Sequence, residues 1–160
     1  MTDQPNWVRI EREFDAPIEV VWDMWTNPEK FKQWYGPMGM TVPVAEMQVE
    51  VGGVRKIAMS MKTPEREMTM WFTGVYKEVS RPNRLVYTES MCDADGQIIS
   101  PQSMGMPAGH PDITEVVVDL SEADGKTRMV MTHIGVEAGT AGDGGWNQAI
   151  DKLLVLLAAS

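Results

Sequence analysis

Residues 7–34, WVRIEREFDAPIEVVWDMWTNPEKFKQW, contain a change from strand to helix periodicity that indicates the fold class. The first part of this stretch, Trp7–Phe14, alternates apolar and polar side chains, which is the two-residue period of a half-buried strand. The period then changes: in Asp15-Ala16-Pro17 either of the first two residues can cap a helix, and proline suits the first helical position. The apolar residues that follow recur at helical spacing, so we predict a short helix that runs to about Thr26.

The same helix-start signal recurs at once, in Asn27-Pro28-Glu29. It predicts a second short helix, which carries Phe31 and Trp34 and is stopped by Gly36-Pro37. Two short helices in tandem therefore follow the first strand.

Beyond Met40 the chain consists of short apolar runs separated by turn signals such as Gly52-Gly53 and Arg81-Pro82-Asn83. Short connections between successive strands indicate an antiparallel meander. The predicted strands are Thr41–Val49, Val54–Lys62, Met68–Val79, Leu85–Met91, Thr114–Ser121 and Thr127–Ile134.

The chain closes with a second helical pattern, in which Asp143 can cap a helix. The apolar face of that helix consists of Trp146, Ile150, Leu153, Leu154 and Leu157. The order of one strand, two helices, six strands and a helix places this amphipathic helix across a curved antiparallel sheet, an α+β arrangement. Such an arrangement often leaves an apolar hollow, and hollows of this kind are the usual small-molecule sites.

Composition narrows the classes of function. The 160 residues carry 14 Lys and Arg against 23 Asp and Glu, a net charge of −9, and 43% of them are hydrophobic. We therefore expect one domain over residues 1–160, with neither nucleic acid nor a membrane surface as partner. The single cysteine, Cys92, and the polar start, Met1–Asn6, favour a cytoplasmic location, and the longest apolar run, Leu153–Ala159, is too short to span a bilayer.

Several blocks occur in order along the chain: Phe14-Asp15-Ala16-Pro17, Val21-Trp22, Trp34-Tyr35-Gly36-Pro37, Gly52-Gly53, Gly74-Val75-Tyr76, Pro82-Asn83-Arg84-Leu85, Thr127–His133 and Gly145-Trp146. Together they resemble the heat-shock-protein ATPase activator homologue family of the START-like (SRPBCC) superfamily. The resemblance implies a helix-grip fold of the START/Bet v type, with a hydrophobic cavity between the sheet and the C-terminal helix. It implies much less about activity, because one fold hosts many functions. The co-chaperone that names the family has an additional amino-terminal domain for which this chain has no room, so chaperone activation is not simply carried over from the resemblance.

The methionines are spaced for the wall of such a cavity. Ten of the 14 fall in pairs two residues apart, and on a strand both members of a pair share one face. The pairs are Met38/Met40, Met59/Met61, Met68/Met70, Met104/Met106 and Met129/Met131. A soft-walled pocket and an ordinary core both fit this pattern, as they fit the large aromatic residues. We predict that the cavity is lined by Trp34, Arg55, Met59, Met61, Phe72, Tyr87, Glu89, Met131, His133 and Trp146.

A polar cluster follows from the same two-residue parity. Arg55 shares a face with Met59, Glu89 with Met91, and His133 with Met131. If the methionine-bearing faces point inward, then an arginine, a glutamate and a histidine point into the hollow. There they would satisfy one another or hold the polar end of a ligand. The alternative is that the faces are reversed or that the charged ends reach solvent.

Other motifs carry less chemistry. Two histidines and one cysteine without short ligand spacing predict no metal site, and no cofactor or catalytic residue is assigned. Asp93-Ala94-Asp95-Gly96 is typical of a tight turn, and Gly139–Gly145 lacks the lysine of a phosphate loop. The long segment 93–112 is either a lid over the pocket or a surface loop.

Three functions remain open from the sequence. The first is the binding of a hydrophobic small molecule in the cavity. The second is an enzyme of the cyclase or hydratase sort that uses His133 with Glu89 or Arg55 as acid–base or anchoring groups. The third is a chaperone-interacting module that uses the acidic outer surface. An exposed edge strand would also permit a homodimer.

Overall fold

The computed structural model describes residues 6–104 and 111–158. In chain order, the elements are β1 (Trp7–Phe14), α1 (Ile18–Thr26), α2 (Pro28–Phe31), β2 (Thr41–Met47), β3 (Val54–Lys62), β4 (Glu67–Ser80), β5 (Arg84–Cys92), β6 (Thr114–Ala123), β7 (Lys126–Glu137) and α3 (Ala141–Ala158). A short 3-10 turn, Pro101–Met104, lies between β5 and β6.

The strands form one antiparallel sheet in the order β1-β7-β6-β5-β4-β3-β2. Strands β2 to β7 are a meander, and β1 joins its far edge by pairing with β7, where Ile10 faces Met131. Helix α3 packs on β1 and β7. The predicted α+β helix-grip architecture, with two short helices after the first strand, is therefore confirmed.

The starts and ends of the two short helices differ from the prediction in detail. Pro17 lies just before α1 instead of in its first turn, and no side chain caps that helix. Asn27 caps α2 as expected, because its side-chain oxygen accepts from the backbone N–H groups of Glu29 and Lys30. Helix α2 ends at Phe31, so Trp34 lies in the turn beyond it.

Helix α3 starts three residues earlier than a cap at Asp143 indicates. It begins at Ala141, so Asp143 lies in the first turn, where its carboxylate accepts from the N–H of Gly139. The predicted apolar face is right except at Leu154, which is 38% exposed, whereas Ala149 is buried in its place. The helical period placed the stripe, but alanine was too small to register as part of it.

Most strands are longer than predicted. Strand β7 continues to Glu137 instead of stopping at Ile134, because Trp7 of β1 pairs with Glu137 and extends the ladder. Strands β1 and β3 have their predicted bounds, whereas β2 ends at Met47, before the predicted Val49. The end of a strand depends on the strand that pairs with it, and the sequence of one strand does not show where its partner ends.

Gly74 in β4 is required by a close approach to β5. A Cβ at this position would lie 1.8 Å from the carbonyl oxygen of Thr88, a distance that no other residue type can accept. The strand pairing is irregular between Tyr76 and Glu78, close to this point. The glycine thus lets the sheet bend where it curves around the interior.

An aromatic cluster fills the space between the tandem helices and α3. Trp34 packs edge-on against Trp25 with ring centroids 4.8 Å apart, and Phe31 stacks on Tyr35 at 4.4 Å. Trp146 of α3 completes the cluster by packing against Tyr35 and Trp25. In the described part of the chain, no helix has the length and apolar character needed to cross a membrane.

Candidate functional site

A pocket of about 860 Å³ lies between the sheet and α3. Its floor comes from β3, β4, β5 and β7, and its roof from the first half of α3. Its apolar wall is formed by Met59, Met70, Phe72, Met91, Val136, Trp146 and Ala149. Unbranched thioethers and aromatic rings give the wall an adaptable surface.

Gly36 brings the segment after α2 close to this wall. Its φ of +89° lies in the left-handed region, and a Cβ there would lie 2.9 Å from the sulfur of Met59. A side chain at this position would therefore be strained and would push against the wall. The turn between the tandem helices and β2 is thus part of the rim of the pocket.

The inner end of the pocket is polar and centres on Glu89 of β5. The Tyr35 hydroxyl donates to Glu89 Oε2 at 3.0 Å. Arg55 forms an ion pair with the same oxygen, and its Nη1 atom is 3.7 Å from Glu89 Oε2. Burial, together with the charge of Glu89, raises the pKa of the Tyr35 phenol well above its ordinary value. Tyr35 therefore stays protonated and donates a hydrogen bond to the carboxylate.

Arg55 lies behind Glu89 in an aromatic enclosure. Its guanidinium carbon is 3.8 Å from the ring centroid of Tyr87 and 5.5 Å from that of Phe31. The arginine is 1% exposed, and its three side-chain nitrogens make no hydrogen bond to any described residue. Burial acts to lower the pKa of Arg55, but the oxygens of Tyr87 and its neighbours, including Glu89, outweigh it and leave that pKa above its ordinary value. The guanidinium thus stays charged, and Glu89 is the carboxylate that compensates it.

His133 of β7 is held at both ring nitrogens. The indole N–H of Trp146 donates to Nδ1 at 2.8 Å, and Nε2 lies 2.8 Å from the hydroxyl of Thr114. That hydroxyl donates its own hydrogen to the backbone carbonyl of Glu89 at 3.0 Å.

This chain of bonds fixes the proton on His133. An indole nitrogen only donates, so Nδ1 must be an acceptor and carries no hydrogen. The Thr114 hydrogen is used on the Glu89 carbonyl, so the Thr114 oxygen accepts from Nε2–H. His133 is therefore the neutral Nε2–H tautomer, and both of its nitrogens are occupied.

Half of the predicted site residues line the pocket. They are Met59, Phe72, Glu89, His133 and Trp146. The parity argument for the polar cluster holds in its geometry, because Arg55, Glu89 and His133 are all buried and face one another, with His133 Nε2 3.9 Å from Glu89 Oε1.

The other five predicted residues do not line the pocket. Arg55 and Tyr87 lie behind Glu89, and Met131 is fully buried in the core. Trp34 is used inside the aromatic cluster, where its indole N–H donates to the Met24 carbonyl. Met61 lies partly exposed near the end of β3. Strand parity predicts only the face of the sheet on which a side chain lies. It does not predict whether that side chain reaches the pocket or is buried in the core behind it.

Several lining residues were missed. Tyr35 belongs to the quoted block Trp34-Tyr35-Gly36-Pro37, and Met91 shares the face of Glu89, so both carried a usable signal. Met70 was undecided against Trp71, because that strand is apolar on both faces. Met70 lines the pocket, whereas the Trp71 ring lies 5.0 Å from the ammonium of Lys56. Thr114 gave no signal of its own.

The segment 93–112 is described only in part. Pro111 and Asp112 line the pocket, whereas Met106 and His110 lie outside the described residues, so a lid remains a prediction. Over residues 6–104 and 111–158, no three His, Cys, Asp or Glu side chains are grouped to hold a metal ion.

Comparison with known proteins places the fold and the family. The chain is similar to a solved structure from Chromobacterium violaceum at 23% identity and a TM-score of 0.76, over 96% of this chain and 98% of that one. It is also similar to a Staphylococcus epidermidis protein, at 24% identity and a TM-score of 0.74 over 99% and 93% of the two chains. A Silicibacter pomeroyi protein named AHSA1 has 23% identity and a TM-score of 0.69, over 94% and 96%.

At such identities these structures show the shared fold alone. No curated relative matches the chain. The model of the family described as Activator of Hsp90 ATPase homolog 1-like protein matches residues 15–158. That match covers nearly the whole chain and confirms the resemblance found in the sequence. This protein belongs to the family of Activator of Hsp90 ATPase homolog 1-like proteins.

Proposed function

We propose that this protein binds an apolar small molecule in the pocket between the sheet and α3. The observation that carries the proposal is a pocket of about 860 Å³ walled by Met59, Phe72 and Trp146, with a polar group, Glu89, at its inner end. Small-molecule sites in proteins have this size and this mixture of a mainly apolar lining with a few placed polar groups. A well-packed core would not leave such a volume.

The experiment fills the pocket and compares the result with a surface control. N-phenyl-1-naphthylamine, a neutral apolar probe, is titrated into the wild type, Met59→Trp and Met38→Trp. Met59 lines the pocket, whereas the Met38 side chain is 54% exposed and does not line it. We expect the probe to brighten with the wild type and with Met38→Trp, and Met59→Trp to lose most of that signal. Equal signals from all three proteins would overturn the proposal.

Mass spectrometry of small molecules released on denaturation of the purified protein identifies the natural occupant. The same variants distinguish a chaperone-interacting module, because stimulation of a chaperone ATPase through the outer surface would survive Met59→Trp. A defined compound that is present in the wild type and in Met38→Trp but absent from Met59→Trp supports ligand binding.

A second candidate, an enzyme, is favoured by one observation. Tyr35 and Glu89 are titratable and meet at the pocket wall, so a carboxylate base with a phenol beside it is available. His133 is not that base, since both of its nitrogens are used. Conversion of the released compound during incubation with the wild type, and its loss in Tyr35→Phe, would establish turnover. An unchanged compound would leave binding as the function.

A further inference from the structure

We propose that the pocket selects apolar ligands whose polar end donates hydrogen bonds, an alcohol or an amine, and discriminates against carboxylates of the same chain length. The inference rests on the proposed function, because it names the ligand class of the same pocket. It follows from two independent features of the wall: its charges and the use of its hydrogens.

The charges that line the pocket are all negative among the described residues. Glu89 lies at the inner end, and the exposed residues Asp112 and Glu137 also line the pocket. No described Lys or Arg is part of the lining. A carboxylate ligand would therefore be placed beside like charges, which disfavours its binding.

Arg55 does not reverse this sign. Its guanidinium is 1% exposed, does not line the pocket and packs against the face of Tyr87 at 3.8 Å. Glu89 is the member of the ion pair that lines the pocket. The guanidinium balances the carboxylate from behind, and a ligand meets the carboxylate.

The hydrogens of the inner wall are already used inside the protein. Tyr35 gives its hydrogen to Glu89 Oε2, and Trp146 gives its indole hydrogen to His133. His133 gives its hydrogen to the Thr114 oxygen, and Thr114 gives its own to the Glu89 carbonyl. These four side chains have no hydrogen left for a ligand, whereas the second carboxylate oxygen, Glu89 Oε1, lies beyond hydrogen-bonding distance of His133 at 3.9 Å.

At Glu89 and the four side chains around it, what remains toward a ligand is therefore acceptor capacity. Ser90, which also lines the pocket, has a hydroxyl that can donate or accept and does not discriminate. A ligand hydroxyl or ammonium group can donate to Glu89 Oε1, whereas a ligand carboxylate, which only accepts, finds no partner there.

The first turn of α3 does not provide a compensating anion site. Gly142 in that turn lines the pocket, and a helix N-terminus attracts negative charge. Asp143 already supplies a carboxylate in the same turn, where it accepts from the Gly139 N–H. The helix terminus has its own anion and offers little to a second one.

The test is displacement of N-phenyl-1-naphthylamine by decanol, decylamine and decanoate near neutral pH. These compounds differ in the head group and share one chain. We expect decanol and decylamine to displace the probe at concentrations at least about tenfold below that of decanoate. High salt weakens the attraction of the amine to the acidic outer surface. A preference for decylamine over decanoate that originates at the buried Glu89 must therefore persist at high salt. The Met59→Trp variant must lose the displacement signal for all three.

Two further variants locate the cause. Glu89→Gln removes the inner charge and adds an amide donor, so decanoate should gain relative to decylamine. Because Glu89→Gln leaves Arg55 without its counter-ion, the folded state is checked by circular dichroism. The pair Asp112→Asn and Glu137→Gln tests the exposed carboxylates, and we expect it to change the ratio less than Glu89→Gln does.

The outcomes separate the two proposals. If neither the probe nor decanol binds the wild type, the proposed function itself fails. If both bind but decanoate displaces the probe as well as decylamine does, the pocket binds apolar molecules and the inference about head groups is wrong. The comparison in the wild type decides this even if Glu89→Gln does not fold.

Discussion

A single hydrogen, on the indole nitrogen of Trp146, determines which ring nitrogen of His133 carries a proton. In Trp146→Phe the ring remains apolar but its N–H is lost, and with it the buried hydrogen bond to His133 Nδ1. We expect a loss of about 1–3 kcal/mol in the free energy of unfolding, the usual cost of removing one partner of a buried hydrogen bond. Two-bond proton–nitrogen NMR spectra should place the His133 hydrogen on Nε2 in the wild type and distribute it over both nitrogens in the variant.

Trp71→Phe is the matched control for this prediction. Trp71 lies on β4 with its ring beside Lys56 and does not line the main pocket, so its replacement should leave the His133 spectrum unchanged. A wild-type spectrum with the hydrogen on Nδ1 would contradict the assigned chain of hydrogen bonds.

Residue-scale features were predictable where strand parity alone decides them. Parity placed Arg55, Glu89 and His133 on one side of the sheet, and they are buried together. Tyr35 was missed as their partner because it follows a helix, where the path of the chain and not a two-residue period directs the side chain. The Thr114 hydrogen bonds depend on the pairing of β6 with β5 and β7, and the Trp146 hydrogen bond depends on the packing of α3 over β7. No local sequence pattern encodes either arrangement.

At the scale of the element, the glycines at the start of α3 separate stability from the shape of the pocket. A Cβ at Gly144 meets no atom within 4 Å, whereas at Gly142 it would lie 2.7 Å from Val136 Cγ1. Gly144→Ala should therefore raise the free energy of unfolding by about 0.5–1 kcal/mol, because alanine favours the helix. Gly142→Ala should lower it, since Val136 must move.

Urea unfolding of both variants beside the wild type checks this pair. Gly144 does not line the pocket, whereas Gly142 does, so probe affinity should be unchanged in Gly144→Ala and altered in Gly142→Ala. Equal stability changes in the two variants would show that helix propensity alone acts at this terminus.

The elements themselves were largely predictable, because periods of two and 3.6 residues report which faces are buried. Strand β3, Val54–Lys62, matches its predicted bounds, and the apolar face of α3 is right at Trp146, Ile150, Leu153 and Leu157. Errors occur at ends, as in β7, where the partner strand extends the ladder. They also occur at Ala149, whose small side chain is buried by the close approach of α3 to the sheet.

For the whole molecule, the order of the elements predicted the antiparallel meander and the position of α3 across it. It did not predict the volume of the pocket between the sheet and α3. That volume depends on how far the sheet curves away from the helix, which long-range packing sets. The same curvature encloses the tyrosines beside Arg55, so the molecule as a whole determines how their protons respond to pH.

Unfolding at alkaline pH tests this global enclosure. Burial raises the pKa of Tyr35 and of Tyr87, and the charge of Glu89 adds to the effect on both. In the unfolded chain these phenols titrate near their ordinary pKa of about 10. Below that pH the phenols are protonated in both the folded and the unfolded chain, and their contribution to the free energy of unfolding is fully present. Above it the unfolded state loses the phenol protons first, so stability falls as pH rises, by up to about 1.4 kcal/mol per pH unit for each phenol.

Urea unfolding at a series of alkaline pH values, with tyrosinate absorbance recorded alongside circular dichroism, measures this dependence. We expect the absorbance of Tyr35 and Tyr87 to appear together with the loss of native structure, because neither phenol ionises while it is enclosed. Tyr35→Phe removes one of the two protons and should flatten the pH dependence, although loss of its bond to Glu89 lowers stability at neutral pH. The chain has three tyrosines, so full ionisation of more than one while the circular dichroism remains native would mean that the interior admits water and hydroxide, and the enclosure inferred around Arg55 would be wrong.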